Sequence, residues 1–147
     1  MALRPRRRLV TRTAAACLLV AGGRLANSAQ QSYTSPAPER RWYEAAVAQK
    51  RLAESWGDQP FGAVLVADAT IIGEGPSRVV KLGDPGAHAE REAIRDAQRR
   101  LGRSNLACSV LYSTSRPCRQ CEIAAAEAHV ERMIHGAGLN DAGQPTP

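Results

Sequence analysis

The apolar stretch from Ala14 to Gly23 is far shorter than the about 20 residues that a helix needs to span a bilayer, which argues against a membrane anchor. Residues 1–29 contain no acid; they hold six arginines, Arg4, Arg6, Arg7, Arg8, Arg12 and Arg24. The rest lacks a charge excess, because the other 14 of the 20 basic residues face 14 acids. A net charge of +6 would ordinarily suggest a polyanionic partner. Here the excess sits in the leader, so a nucleic-acid partner is disfavoured. No internal repeat occurs, and 147 residues leave room for one domain with one core.

The leader has the order of an export signal. Arg6, Arg7 and Arg8 precede Leu9-Val10, the short apolar stretch follows, and small residues run from Ala26 to Ala29. Paired arginines before two apolar residues match a twin-arginine signal, which carries folded proteins, often with their metal in place. The expectation is export to the periplasm or medium, with cleavage near residue 29. The alternatives are an Arg-rich transit peptide, or an upstream start codon whose product is a tail on a cytoplasmic protein. A lipoprotein reading of Cys17 fails, since only Thr13 to Ala16 separate it from Arg12.

Residues 30–38 are polar and proline-bearing, as expected of a linker. A domain over 39–136 then follows, with 137–147 as a polar tail. Tyr43, Ala46, Val47 and Leu52 fall at helical spacing, predicting a helix over Trp42–Trp56 closed by Gly57-Asp58. Phe61–Ala67 and Ile71–Gly75 read as strands joined by a hairpin at Asp68-Ala69. A second helix spans Ala87–Leu101, with Ala89, Ala93, Ile94, Ala97 and Leu101 on one face and Gly102 closing it. Ser109–Ser113 reads as a buried strand, Cys118–Ala128 as a third helix and Val130–His135 as a fourth strand. The order α-β-β-α-β-α-β implies an α/β fold with a mixed sheet and helices packed on its faces.

Two short motifs carry chemistry: His88-Ala89-Glu90 and Pro117-Cys118-Arg119-Gln120-Cys121, each at a helix start just after a loop. Unpaired N–H groups and the positive dipole end stabilise thiolates there, and two cysteines three positions apart can face one ion. His88 with Cys118 and Cys121 makes one nitrogen and two sulfurs, and three protein ligands with an open position are the pattern of a catalytic zinc. Zinc lowers the pKa of its water to about 7. Glu90, two residues past His88, can reach that water without ligating the metal and move protons. Taken alone, the Cys118-x-x-Cys121 pair also fits a redox dithiol, but that reading leaves His88 and Glu90 without a role. Cys108 is expected as a small buried side chain, His129 and His135 as ordinary surface or core residues, and Trp42, Trp56 and Phe61 as packing residues, with Phe61 also a pocket candidate.

H-x-E followed by P-C-x-x-C is a known signature of zinc deaminases. With Gln59-Pro60-Phe61-Gly62-Ala63-Val64, Ile72-Gly73-Glu74-Gly75, Asp84-Pro85-Gly86-Ala87 and Leu111-Tyr112-Ser113-Thr114-Ser115-Arg116, the chain resembles the cytidine-deaminase-like superfamily over residues 42–136. The likeness is to its guanine deaminase and tRNA adenosine deaminase branch. It implies a three-layer α/β/α sandwich, a bound zinc, a homodimer, and hydrolytic deamination of a small-molecule nucleobase or nucleoside. Editing of adenosine in tRNA is the alternative, and a non-catalytic zinc or thiol-redox protein on the same fold is a third reading. Phe61, Ser77, Ala89 and Arg116 are the candidate substrate contacts. Ser77 stands where the family has a base-reading Asn, and Arg116 where an acid often precedes Pro-Cys. An added arginine favours an anionic or oxygen-rich substrate. The family also continues with a further strand and helix beyond the position of Gly136.

Overall fold

The structure, a computed structural model, describes residues 38–147. The twin-arginine and export reading, the argument about Cys17 and almost all of the expected linker lie outside the described residues. Among the described residues no helix is long and apolar enough to cross a membrane.

Helix α1 (Arg40–Ser55) leads into strands β1 (Gly62–Ala67) and β2 (Thr70–Pro76), and a one-turn helix α2 (Val79–Leu82) follows. Then come α3 (Ala89–Leu101), β3 (Val110–Ser113), α4 (Arg119–Glu127), β4 (Arg132–His135) and β5 (Asn140–Gly143). The β1–β2 hairpin turns at Asp68 and Ala69, both at positive φ, 49° and 53°. Two such residues make the turn whose twist matches the flanking strands. α3 carries Glu90 and Glu92 in its first turn and Arg99 and Arg100 in its last, and Gly102 closes it at φ 63°. Each charge sits at the end of the helix dipole that favours it.

The sheet order is β2-β1-β3-β4-β5, with β3 and β4 parallel and the other pairs antiparallel. Along β1 the side chains alternate. Ala63 and Leu65 pack with Leu111 and Met133 against Ala93, Ala97 and Ala125 of α3 and α4. Val64 and Val66 pack with Tyr112 and Ile134 against Trp42 and Ala46 of α1. The result is the expected three-layer α/β/α sandwich. Each fully buried Leu, Ile or Met contributes roughly 1.5–3 kcal/mol. On β2 the α3 backbone leaves no room for side chains: a Cβ would meet Ala93 O at 2.2 Å from Gly73, and Ala89 O at 2.0 Å from Gly75.

Four expectations are corrected. The polar tail over 137–147 contains β5, which pairs His135 with Asn140 and Ile134 with Asp141, so a further strand does extend the sheet. Asn-Asp-Ala-Gly is a poor strand former by composition. The open edge of β4 and the 2.8 Å Arg132 Nε to Asp141 Oδ2 contact hold it instead. Leu52 and Leu101 lie 40% and 41% exposed rather than on the core faces of their helices. The inner face of α1 is Trp42, Ala46 and Ala53, and Leu101 stands at the last position before the Gly102 turn. Cys108 is exposed at φ 64° rather than buried.

Candidate metal centre and active-site cleft

Strand register sets the site. Gly62 pairs with Pro76 and Ala63 with Ser113, so the start of β1 and the ends of β2 and β3 share one edge of the sheet. The chain leaving β2 reaches His88, and the chain leaving β3 reaches Cys118. The first connection is pinned where Arg78 N donates to Ala87 O at 3.0 Å. The second is pinned where Thr114 N donates to Gly62 O at 2.9 Å and Gly62 N to Thr114 Oγ1 at 3.1 Å. His88 and Cys118 are the N-cap residues of α3 and α4, both extended, and neither side chain caps its own helix. Their donor atoms therefore remain available for something else.

His88 Nδ1 lies 3.5 Å from Cys118 Sγ and 3.4 Å from Cys121 Sγ, and the two sulfurs are 3.5 Å apart and unbonded. Bonds of about 2.3 Å to sulfur and 2.0–2.1 Å to nitrogen give a tetrahedron whose edges are about 3.5–3.8 Å. The observed triangle fits one face of it with little movement. The set of one imidazole and two thiols suits zinc, and two helix N-termini add positive potential that favours thiolates. Burial, then the neighbouring Glu90 carboxylate, pushes the Cys121 thiol well above its ordinary pKa when no cation is present. Coordination to a divalent cation reverses that preference.

Glu90 stands beside the triangle and outside it. It is 5% exposed, and Cys121 Sγ donates to its Oε2 at 3.5 Å. Burial pushes its carboxyl above the usual range, opposed by its own backbone N–H, the Cys121 thiol, the charge of His88 and the Ser113 hydroxyl. A carboxyl in that condition holds its proton more tightly than an exposed one. Beside it opens a cleft of about 160 Å³, lined by His88, Glu90 and Cys118 together with Gln59, Phe61, Ser115 and Arg116. Drug-sized ligands occupy roughly 300–1,000 Å³. This cleft takes a single flat ring system and leaves the remainder of a larger molecule outside.

The structure thus brings Phe61, Ala89 and Arg116 to the same cleft as His88, Glu90 and Cys118. Phe61 is 38% exposed, so it lines the cleft rather than packing in the core. Ser77 is a correction. It is fully buried, and its Oγ donates to Asp58 Oδ1 at 3.0 Å, so its hydroxyl is not presented to a ligand. Asp58 itself gathers the loops behind the cleft: burial would raise its pKa, but N–H donors from Lys81 and Gln59, the Ser77 hydroxyl and Val80 outweigh that and lower it. Sequence reasoning missed Gln59, Ser113 and Ser115 as site residues. They lie inside the stretches that carry the family resemblance, but nothing in their spacing told wall from filler.

The model of the cytidine and deoxycytidylate deaminase zinc-binding region matches residues 36–137. The tRNA-specific adenosine deaminase of Buchnera aphidicola subsp. Schizaphis graminum is 36% identical over 100 residues, 68% of this chain and 66% of that protein. The guanine deaminase of Bacillus subtilis is 41% identical over 85 residues, 58% of this chain and 54% of that protein. The chain thus spans just under two thirds of the first relative and about half of the second. A solved tRNA:A34 deaminase, studied for A-to-I editing at the wobble position, superposes with a TM-score of 0.64 at 36% identity, over 67% of this chain and 71% of that one.

Proposed function

This chain belongs to the family defined by the cytidine and deoxycytidylate deaminase zinc-binding region, and from that premise we propose that it is a zinc-dependent hydrolytic deaminase acting on an adenosine carried in tRNA. The observation that carries the reading is the convergence of His88, Cys118 and Cys121 within one tetrahedral face, next to a buried, uncoordinated Glu90. The small cleft is suited to a single base turned out of its strand, which is how enzymes that modify bases reach their target. Most of the relatives reported above also act on tRNA by name.

His88, Cys118 and Cys121 would hold the zinc, which when bound would supply the Lewis acidity that makes water nucleophilic at neutral pH. Glu90 would take one proton from the attacking water and give it to a ring nitrogen. It would then take the second from the new hydroxyl and give it to the departing amine, so that a carbonyl forms and ammonia leaves. Its raised pKa suits a group that must hold the proton between those transfers. Phe61 offers its ring for stacking on the base.

A second reading is deamination of a free nucleobase or nucleoside. The even charge of the chain beyond residue 29 and the guanine deaminase relative favour it. The two readings differ in compartment: tRNA requires a cytoplasmic protein, whereas a leader that exports the chain suits a free substrate. In either case a homodimer is the expected assembly, to be checked by light scattering. The deciding assay measures ammonia from the zinc-loaded chain with an adenosine-containing anticodon stem-loop RNA, adenosine, cytidine, cytosine and guanine. Inosine in the RNA is the expected result. Release from a free base or nucleoside alone would transfer the assignment to the second reading, and release from none would sink both.

A further inference from the structure

Arg78 and Arg119 lie near the two ligand loops and both make contacts, whereas Arg116 is the arginine that lines the cleft. Arg119, one residue past Cys118, donates to Thr146 O at 3.2 Å and to Pro147 O at 2.6 Å, and lies 3.5 Å from Glu122 Oε2. Arg78 lies over the Trp56 ring, 5.5 Å from its centroid, with Glu92 Oε2 at 3.7 Å from its Nε. Arg116 is different. It is exposed, it lines the cleft, and among the described residues no carboxylate lies within 4.0 Å of its guanidinium.

Its position matters as much as its freedom. Arg116 is two residues before Cys118, on the short connection from β3 that Pro117 stiffens, so its backbone is tied to the metal loop. The cleft holds one ring system, which obliges the sugar and any phosphate of a nucleotide to stay at the mouth. The exposed Arg116 guanidinium, with no carboxylate partner among the described residues, presents a planar fork of donors matched to phosphate oxygens. A free base brings no phosphate for it to bind.

Resting on the deaminase reading above, we propose that Arg116 binds a phosphate of the substrate, so that the cleft selects a phosphorylated nucleotide over the corresponding nucleoside or base. The phosphate belongs either to a free monophosphate or to an RNA backbone. Arg116 is here a specificity residue, with no part in the bond changes.

The test compares the zinc-loaded wild type with Arg116→Gln and Arg116→Lys by equilibrium binding of adenosine, 5′-AMP and a short adenosine-containing RNA lacking a terminal phosphate. Binding is read without turnover, so it stands even if the deaminase assay fails. Arg116→Gln is expected to weaken 5′-AMP or the RNA about tenfold while leaving adenosine within about twofold, and Arg116→Lys to recover part of the loss. If the RNA is the ligand, its log–log salt slope should fall by about one, the signature of one lost phosphate contact. A loss confined to 5′-AMP identifies a free nucleotide; a loss confined to RNA identifies a strand. Equal weakening of adenosine, or no weakening of either phosphorylated probe, overturns the proposal. Where wild-type turnover is seen, the same variant should raise KM for the phosphorylated substrate with kcat within about twofold. A fall in kcat with KM unchanged would also overturn it.

Discussion

The two ends of the sheet hold hollows of opposite character. At the hairpin end, Trp42, Val66, Asp68, Tyr112 and Glu131 enclose about 360 Å³, more than twice the volume of the cleft at the other end. Yet the triad of possible metal ligands found among the described residues lies at the smaller one. Volume does not make the site. At the hairpin end β1 simply turns into β2, whereas at the opposite edge two connections run from strand ends into the N-termini of α3 and α4. Each of those helices offers its first residues and its positive end to a common point. Donor atoms meet only where backbone geometry aims two helix starts at each other.

The comparison is broken most completely by Cys118→Ala. That change should abolish zinc binding measured by metal analysis, and with it all turnover, while a change at the other hollow leaves both intact. Glu90→Gln should sharpen the distinction within the site, retaining one zinc per chain and losing about 10²- to 10⁴-fold in kcat. Undiminished ammonia release from that variant would remove Glu90 from the chemistry. Gly75→Ala acts through the scaffold, since its Cβ would fall 2.0 Å from Ala89 O at the start of α3. We expect a loss of about 1–3 kcal/mol in denaturant unfolding together with weaker zinc binding, because α3 must shift and His88 and Glu90 shift with it. The smallest effect is expected from Tyr112→Phe at the larger hollow. Among the described residues its hydroxyl accepts one long contact, 3.4 Å from Glu39 N, so stability should change by less than about 1 kcal/mol, with zinc content and turnover unchanged.

The site was more legible than its surroundings. His88, Glu90, Cys118 and Cys121 are close in sequence in two pairs, and a helix start converts that closeness into a shared face. Residues whose role depends on a partner far along the chain were not legible. Ser77 looked like a base contact by position, and its hydroxyl instead meets Asp58, 19 residues away. Phe61 reads by its apolarity both as a packing residue and as a pocket candidate, and the second holds because the strand it precedes begins only at Gly62, leaving the ring at the cleft.

What the sequence determined by itself is the pair of ligand-bearing helix starts, the hairpin and the apolar alternation of β1, because helix periodicity, turn chemistry and strand alternation act over a few residues. Tertiary structure decided that His88 Nδ1 and the two sulfurs come within 3.5 Å of one another, that Ser77 is sealed away, and that Asn140–Gly143 joins the sheet. Those outcomes follow from pairing and close approach between segments distant in the chain, which local preference neither favours nor forbids.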